Sequence, residues 1–188
     1  CKFMGRVFTE GIMMPMVKLS IGLDISIRRF YLRILTGVND MLGEKWMVFW
    51  SEYASDTYLY GSKISFHKKD DVEFSNALMP PGTVIKQWYS MTNFQAQKIE
   101  PTLPIIDGEG EYQITLNIDV PEEEYLLAQL VFYDRYGVEA GILALRDKET
   151  RFRCPLKTYS YKLQLINSGV SNFRFHSIVI QEVLDEPA

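Results

Sequence analysis

Strict alternation of apolar and polar residues is the feature that most constrains the fold of this chain. In two segments every second residue is apolar: Tyr112, Ile114, Leu116 and Ile118 in 111–118, and Tyr159, Tyr161, Leu163 and Leu165 in 158–165. Because successive side chains of a strand point to opposite faces, this alternation predicts strands with one buried and one hydrated face. Antiparallel sheets tolerate a hydrated face, whereas parallel sheets are usually covered on both sides.

Turn signals divide the rest of the chain into further strands. The predicted strands are 57–66, 71–77, 83–92, 111–118, 126–134, 140–146, 158–165 and 172–183. They are separated by Pro80-Pro81-Gly82, Asp107-Gly108, Tyr136-Gly137 and Asn167-Ser168-Gly169, all residue types that favour turns. About eight strands of this kind predict an all-β domain, an antiparallel β-sandwich or jelly roll.

Two segments depart from the simple alternation. Pro121 followed by three glutamates is a good helix start, so we expect 121–131 to be a strand with a helical first turn. In 173–183 the apolar phase slips after Phe175, which predicts a β-bulge near His176 and Ser177.

Composition excludes several classes of protein. The 188 residues are 47% hydrophobic and 23% charged, which is enough apolar material for a packed core. The net charge of −4 argues against nucleic-acid binding through a basic surface. The two cysteines, Cys1 and Cys154, cannot build a disulfide framework and fit a reducing compartment. No apolar stretch is long enough to predict a transmembrane helix.

Residues 1–45 differ from the rest of the chain. They carry seven Lys/Arg and four acids, net +3, whereas 46–188 carry thirteen bases and twenty acids, net −7. Three interpretations remain open: a targeting segment, a membrane-surface segment rich in arginine and aromatics, or an extension outside the domain. Asp24 interrupts the apolar stretch of a targeting signal, so we favour an extension from a misplaced start, with Met41 or Met47 as the true start. The predicted single domain is then 46–188.

The sequence offers little catalytic chemistry. His67 and His176 are not at metal-ligand spacing, Cys154 has no neighbouring histidine, and no phosphate-binding glycine loop occurs, so we predict no catalytic residue, no metal and no cofactor. Asp107, Glu109 and Glu111 alternate near the start of a strand. They are most simply a solvated turn, with a structural calcium site or a catalytic pair as the alternatives.

Aromatic residues and one apolar loop are the better binding candidates. Tyr58, Tyr60, Trp88 and Tyr89 lie on or beside predicted strands, where an exposed ring would stack on a sugar or anchor a protein. Trp88 shares its predicted face with Lys86 and Ser90, which favours a surface position, whereas Tyr159 and Tyr161 are in phase with core residues. The segment Leu78–Gly82, with Leu78 and Met79 before Pro80-Pro81-Gly82, predicts either an interface loop or a tight turn packed into the core.

Several segments together resemble one protein family. They are TYLYGS at 57–62, LMPPGTVIKQWYSMTNFQAQ at 78–97, PTLPIIDGEGEY at 101–112, TYSYKLQLINSG at 158–169 and FRFHSIVIQEV at 173–183. This order of segments resembles the third of the accessory secretory proteins (the Asp family) of the accessory Sec system of Gram-positive bacteria. The resemblance covers about Trp46 to the C-terminus and leaves out 1–45.

The resemblance implies a non-enzymatic subunit with a fold similar to carbohydrate-binding modules. It implies two other accessory secretory proteins as partners, and a motor ATPase and serine-rich-repeat glycoprotein adhesins as further partners. It also implies a cytoplasmic protein that is held at the inner face of the membrane through the complex. Two classes of function follow: an adaptor that holds partner proteins, or a carbohydrate-binding module that holds adhesin glycans through Trp88 and neighbouring tyrosines. A glycoside-active enzyme using Asp107, Glu109 or Glu111 ranks last.

Overall fold

A computed structural model describes residues 42–52, 56–92 and 99–184 of the chain. The described residues form ten strands and no helix. The strands are β1 (Leu42–Val48), β2 (Lys63–Lys68), β3 (Asp71–Ser75), β4 (Val84–Tyr89), β5 (Glu111–Asp119), β6 (Leu126–Tyr133), β7 (Glu139–Leu145), β8 (Glu149–Arg153), β9 (Ser160–Asn167) and β10 (Asn172–Val183). The interpretations given for residues 1–41 lie outside the described part.

The strands form two antiparallel sheets. The six-stranded sheet has the order β2-β3-β10-β5-β8, with β1 paired to the second half of β10. The four-stranded sheet has the order β4-β9-β6-β7. The fold prediction is therefore confirmed: the chain is all-β, with two antiparallel sheets.

An aromatic cluster fills the space between the sheets. Trp50, which follows β1, has ring-centroid distances of 5.7–6.1 Å to Phe74, Trp88, Phe173 and Phe175. Trp88 of the four-stranded sheet also stacks on Phe175 of the six-stranded sheet at 5.4 Å. Aromatic pairs of this kind add about 0.5–1.5 kcal/mol each beyond their buried area. The cluster therefore joins the two sheets and fixes their spacing.

The local predictions agree with the structure at the two irregular segments. The register of β10 against β5 shifts between Phe175 and Ser177, which confirms the bulge near His176. A turn at Pro121, closed by a 3.0 Å hydrogen bond from Glu124 N to Pro121 O, precedes strand β6. The segment is thus a strand with one turn before it.

Other boundaries were misplaced. The predicted strand 57–66 is only an isolated bridge at Thr57, and β2 begins at Lys63. Sequence reasoning missed β8, whose segment Glu-Thr-Arg-Phe-Arg buries only Phe152. It also missed the strand β1, which begins at Leu42. Within 42–52, 56–92 and 99–184, no helix has the length and apolar character needed to cross a membrane.

A candidate interaction surface at one end of the sandwich

Two loops at one end of the sandwich are fastened together by a buried asparagine. The Nδ2 group of Asn76 donates to Tyr60 O and to Ser62 Oγ, both at 2.9 Å. Its Oδ1 accepts a hydrogen bond from Leu78 N at 3.0 Å. Asn76 is only 4% exposed, so these bonds are shielded from water and are costly to break. Asn76 thereby fixes the backbones of Tyr60 and Leu78 relative to each other.

A second buried asparagine holds the other side of the same loop. Asn167, at the end of β9, donates from Nδ2 to Met79 O at 2.8 Å and to Pro80 O at 3.3 Å. Its Oδ1 accepts hydrogen bonds from Gly169 N and Val170 N, both at 2.9 Å. The Asn167 side chain therefore closes the turn that follows β9 and anchors the Leu78–Gly82 loop.

The anchored loops expose three large apolar side chains. Leu59 is 69% exposed, Tyr60 85% and Leu78 91%. We call Leu59, Tyr60 and Leu78 the Tyr60–Leu78 patch. The two alternatives for the Leu78–Gly82 loop are both partly correct, because Leu78 faces solvent while Met79, at 7% exposure, packs in the core.

The remaining aromatic candidates lie closer to the core. Tyr58 is partly buried against the hydrophobic core, and its backbone N donates to Ile85 O at 2.8 Å. Tyr89 is half-buried, and burial together with a hydrogen bond to Asp56 raises the pKa of its hydroxyl. Tyr161 is buried and Tyr159 is 58% exposed, so only one of that pair lies in the core.

The surface position predicted for Trp88 was wrong. The side chain is 2% exposed, stacks on Phe175 and donates from Nε1 to Phe49 O at 3.1 Å. Trp88 does share a face with Lys86 and Ser90, but all three side chains are buried, so the two polar neighbours wrongly indicated a hydrated face. Trp88 therefore presents no ring face to a sugar, and the glycan-binding hypothesis loses its principal residue.

The same buried face contains a lysine. Lys86 is 2% exposed, and its Nζ lies 5.7 Å from the centre of the Trp88 ring. Burial lowers the pKa of Lys86 to about 8, and the charge of Asp56 opposes that change in part. Lys86 is thus a structural residue at a position where sequence alone predicted a hydrated one.

The acidic candidates and Cys154 differ in exposure. Asp107, Glu109 and Glu111 are all exposed. Among the residues that the structure describes, no group of three or more His, Cys, Asp or Glu side chains is placed to hold a metal ion. Cys154 is buried, and that burial raises the pKa of its thiol, which disfavours a nucleophilic thiolate.

Sequence reasoning also missed a surface pocket of about 480 Å³ at the β10 bulge. Its lining includes Lys69, Asp70, Asn117, Asp119 and His176. His176 is held there between Asp70 O and Asp119 Oδ2. The predicted bulge located His176, but the strands that meet it are far away in sequence.

The described part of the chain is thus a two-sheet β-sandwich that presents anchored loops at one end. Residues 57–182 match the family model described as Accessory Sec secretory system ASP3. The chain therefore belongs to this family, the third accessory secretory protein of the accessory Sec system. A relative from Streptococcus gordonii, itself a third accessory secretory protein of that system, is 38% identical over 130 residues, which are 69% of this chain and 82% of that protein.

Two solved structures resemble the fold with a TM-score of 0.69. One is a chain of the Glycosylation Associate Protein (Gap123) complex from Streptococcus agalactiae, at 31% identity; the match covers 75% of this chain and 45% of that longer one. The other is from the crystal structure of accessory secretory protein 1, 2 and 3 in Streptococcus pneumoniae, at 30% identity, and covers 74% of this chain and 97% of that one.

Proposed function

We propose that this chain is a non-enzymatic subunit of an accessory Sec export complex and binds two companion accessory secretory proteins. The observation that carries the proposal is the Tyr60–Leu78 patch, three exposed apolar side chains on a backbone fixed by Asn76 and Asn167. Burying exposed apolar groups against a partner lowers the free energy of the complex. Because the loops are already ordered, binding loses little conformational entropy.

The comparisons support a multi-protein setting. Both solved structures at TM-score 0.69 come from complexes, one of them of accessory secretory proteins 1, 2 and 3. By the family resemblance, the proposed role is to support export of serine-rich-repeat glycoprotein adhesins at the cytoplasmic face of the membrane. In this proposal the motor ATPase and the membrane are reached through the complex.

Co-expression of the full chain with its two companions tests the proposal. We expect a ternary complex by size-exclusion chromatography with light scattering, and its loss in Leu78→Lys. The matched control is Ile105→Lys, because Ile105 is 74% exposed outside the patch. A wild-type chain that binds neither companion, or a Leu78→Lys chain that binds both normally, would overturn the proposed interface.

The export role has its own test. A strain carrying Leu78→Lys should accumulate less adhesin on its surface than a strain carrying Ile105→Lys, at equal amounts of the two variants. Normal adhesin display in a strain whose ternary complex is lost would separate complex formation from export and refute the second half of the proposal.

A further inference from the structure

The outer face of the four-stranded sheet carries a continuous row of hydrogen-bonded amides. Gln164 of β9 is the register partner of Gln87 of β4 on one side and of Gln129 of β6 on the other. Gln129 Nε2 donates to Gln164 Oε1 at 2.9 Å, and Gln164 Nε2 donates to Gln87 Oε1 at 2.7 Å. We call Gln87, Gln164 and Gln129 the amide row. Because the row holds its own side chains in place, binding a ligand there costs little side-chain entropy.

An apolar strip lies beside the amide row on the same face. Val131 of β6, two residues beyond Gln129, is the register partner of Ile142 of β7. Ile142 is 55% exposed, whereas Val131 is 3% exposed and is not a member of the core cluster between the sheets. Gln164 is likewise only 7% exposed, although the alternation of β9 points it away from the core. The middle of this face is therefore recessed, with amides and apolar side chains on adjacent rows.

Two tyrosines and a lysine complete the polar part of the face. Tyr89 of β4 is the register partner of Lys162 of β9, and its hydroxyl donates a hydrogen bond to Asp56. The Lys162 ammonium lies 5.4 Å from the centre of the Tyr133 ring. Glu139 of β7, the register partner of Tyr133, brings an acid to the same corner. Lys162 is thus accompanied by two acids, so this face has no excess of positive charge with which to attract an anion.

We propose that this outer face binds a neutral sugar. Each sugar hydroxyl both donates and accepts hydrogen bonds, and the two ends of the amide row offer a donor, Gln87 Nε2, and an acceptor, Gln129 Oε1. The C–H faces of a sugar ring are apolar and fit the strip formed by Val131 and Ile142. A peptide fits less well, because a peptide that binds to a sheet as a strand pairs with its edge and not with its face.

The proposed site differs from the sugar site expected from the sequence. That site depended on Trp88, whose ring is buried in the core. In the proposed site the polar contacts come from glutamine side chains on three neighbouring strands. The inference goes beyond the proposed function and does not depend on it, because the Tyr60–Leu78 patch lies on loops at one end of the sandwich and the amide row lies on a sheet face.

Isothermal titration calorimetry of the full chain tests the site, with neutral oligosaccharides of hexoses and N-acetylhexosamines that are first selected on a glycan array. We expect dissociation constants of about 0.1–1 mM. Gln87→Leu should weaken binding at least about tenfold, because it removes the donor end of the amide row. The matched control is Gln113→Leu, which should leave binding unchanged. Gln113 is also half-buried, but it lies on the outer face of the other sheet, where its Oε1 accepts from Arg151 Nε.

A second variant does not disturb the hydrogen-bonded amides. Ile142→Glu places a carboxylate in the apolar strip, so it should also weaken sugar binding at least about tenfold. Its matched control is Ile105→Glu, because Ile105 is exposed and lies outside this sheet. Both isoleucine variants should melt at the wild-type temperature, because both side chains are exposed.

Several outcomes would overturn the proposal. A chain that binds none of the neutral oligosaccharides at about 10 mM refutes it, as does sugar binding that survives both Gln87→Leu and Ile142→Glu. Binding restricted to sialylated oligosaccharides would contradict a site for neutral ligands. A chain that binds no sugar, and whose Gln87→Leu variant no longer binds a companion protein, would assign the face to that companion instead.

Discussion

His176 Nε2 lies 2.9 Å from Asp119 Oδ2, while its Nδ1 lies 2.8 Å from Asp70 O. Both partners are hydrogen-bond acceptors, and only the protonated imidazole carries a hydrogen on each ring nitrogen. The hydrogen bond to Asp119, followed by the one to the Asp70 carbonyl, raises the pKa of His176 above 6.5. Protonated His176 therefore joins the β2–β3 turn to the end of β5 across the β10 bulge.

This arrangement predicts a pH-dependent stability. Because the folded pKa of His176 is raised, its contribution is complete below about pH 6.5 and is lost as the pH rises through the folded value. The contribution is about 0.5 kcal/mol, since water screens the exposed Asp119 carboxylate. Urea unfolding of wild type and His176→Gln should differ more at pH 5.5 than at pH 8.5. An equal difference at both pH values would refute the protonated bridge.

Lys86 predicts a pH dependence of opposite sign. Its folded pKa of about 8 lies below the ordinary 10.5, so between these values the unfolded chain binds more protons and stability rises with pH. The difference between the two pKa values corresponds to about 3 kcal/mol of destabilisation at neutral pH. Replacing Lys86 removes this cost, but it also removes the attraction to Asp56, which offsets part of the gain. Lys86→Met should therefore stabilise the fold by about 1–3 kcal/mol at pH 7.

The check is a comparison of unfolding free energies across pH. The advantage of Lys86→Met over wild type should shrink between pH 8 and about pH 10.5, because the wild-type lysine becomes neutral there. Lys63→Met, on the exposed face of an edge strand, should change stability by less than about 0.5 kcal/mol. A Lys86→Met protein less stable than wild type at pH 7 would mean that the pairing with Asp56 outweighs burial.

Most of the fold could be predicted from the sequence, because the alternation of apolar and polar residues is a local signal. The alternating residues Tyr112, Ile114, Tyr161 and Leu163 are all buried as predicted. Strands β1 and β8 were missed because their charged edge positions hide the alternation. Trp88 was misplaced because its polar neighbours Lys86 and Ser90 also lie on the buried face. Which face of β4 is buried depends on the opposite sheet, whose Phe175 stacks on Trp88 and lies far away in sequence.

Only part of the Tyr60–Leu78 patch could be predicted from the sequence. Tyr60 and Leu78 stood out as apolar residues at turns, but their joint placement depends on Asn76 and Asn167. A buried asparagine in a turn has the same sequence signature as an exposed one. Only the folded chain brings the Asn167 amide to the backbone of Met79.

Asn167 is predicted to be the more costly of two asparagine truncations. Asn167→Ala leaves buried partners such as Met79 O and Val170 N without their hydrogen bonds and should destabilise the fold by about 2–4 kcal/mol. Asn117→Ala removes one half-buried bond, from Nδ2 to Ser177 Oγ, and should cost about 1 kcal/mol. Urea unfolding measures both, and equal costs would show that Asn167 does not hold the loop.

Trp88 gives the sharpest test of the corrected core. Trp88→Ala removes a ring that stacks on Phe175 and contacts Trp50 across the sandwich, so it should destabilise the fold by about 3–5 kcal/mol. Tyr60→Ala, in which an 85% exposed ring is lost, should change stability by less than about 0.5 kcal/mol. Chemical unfolding monitored by circular dichroism compares the two. A Trp88→Ala protein as stable as wild type would return Trp88 to the surface and revive it as a sugar-stacking residue.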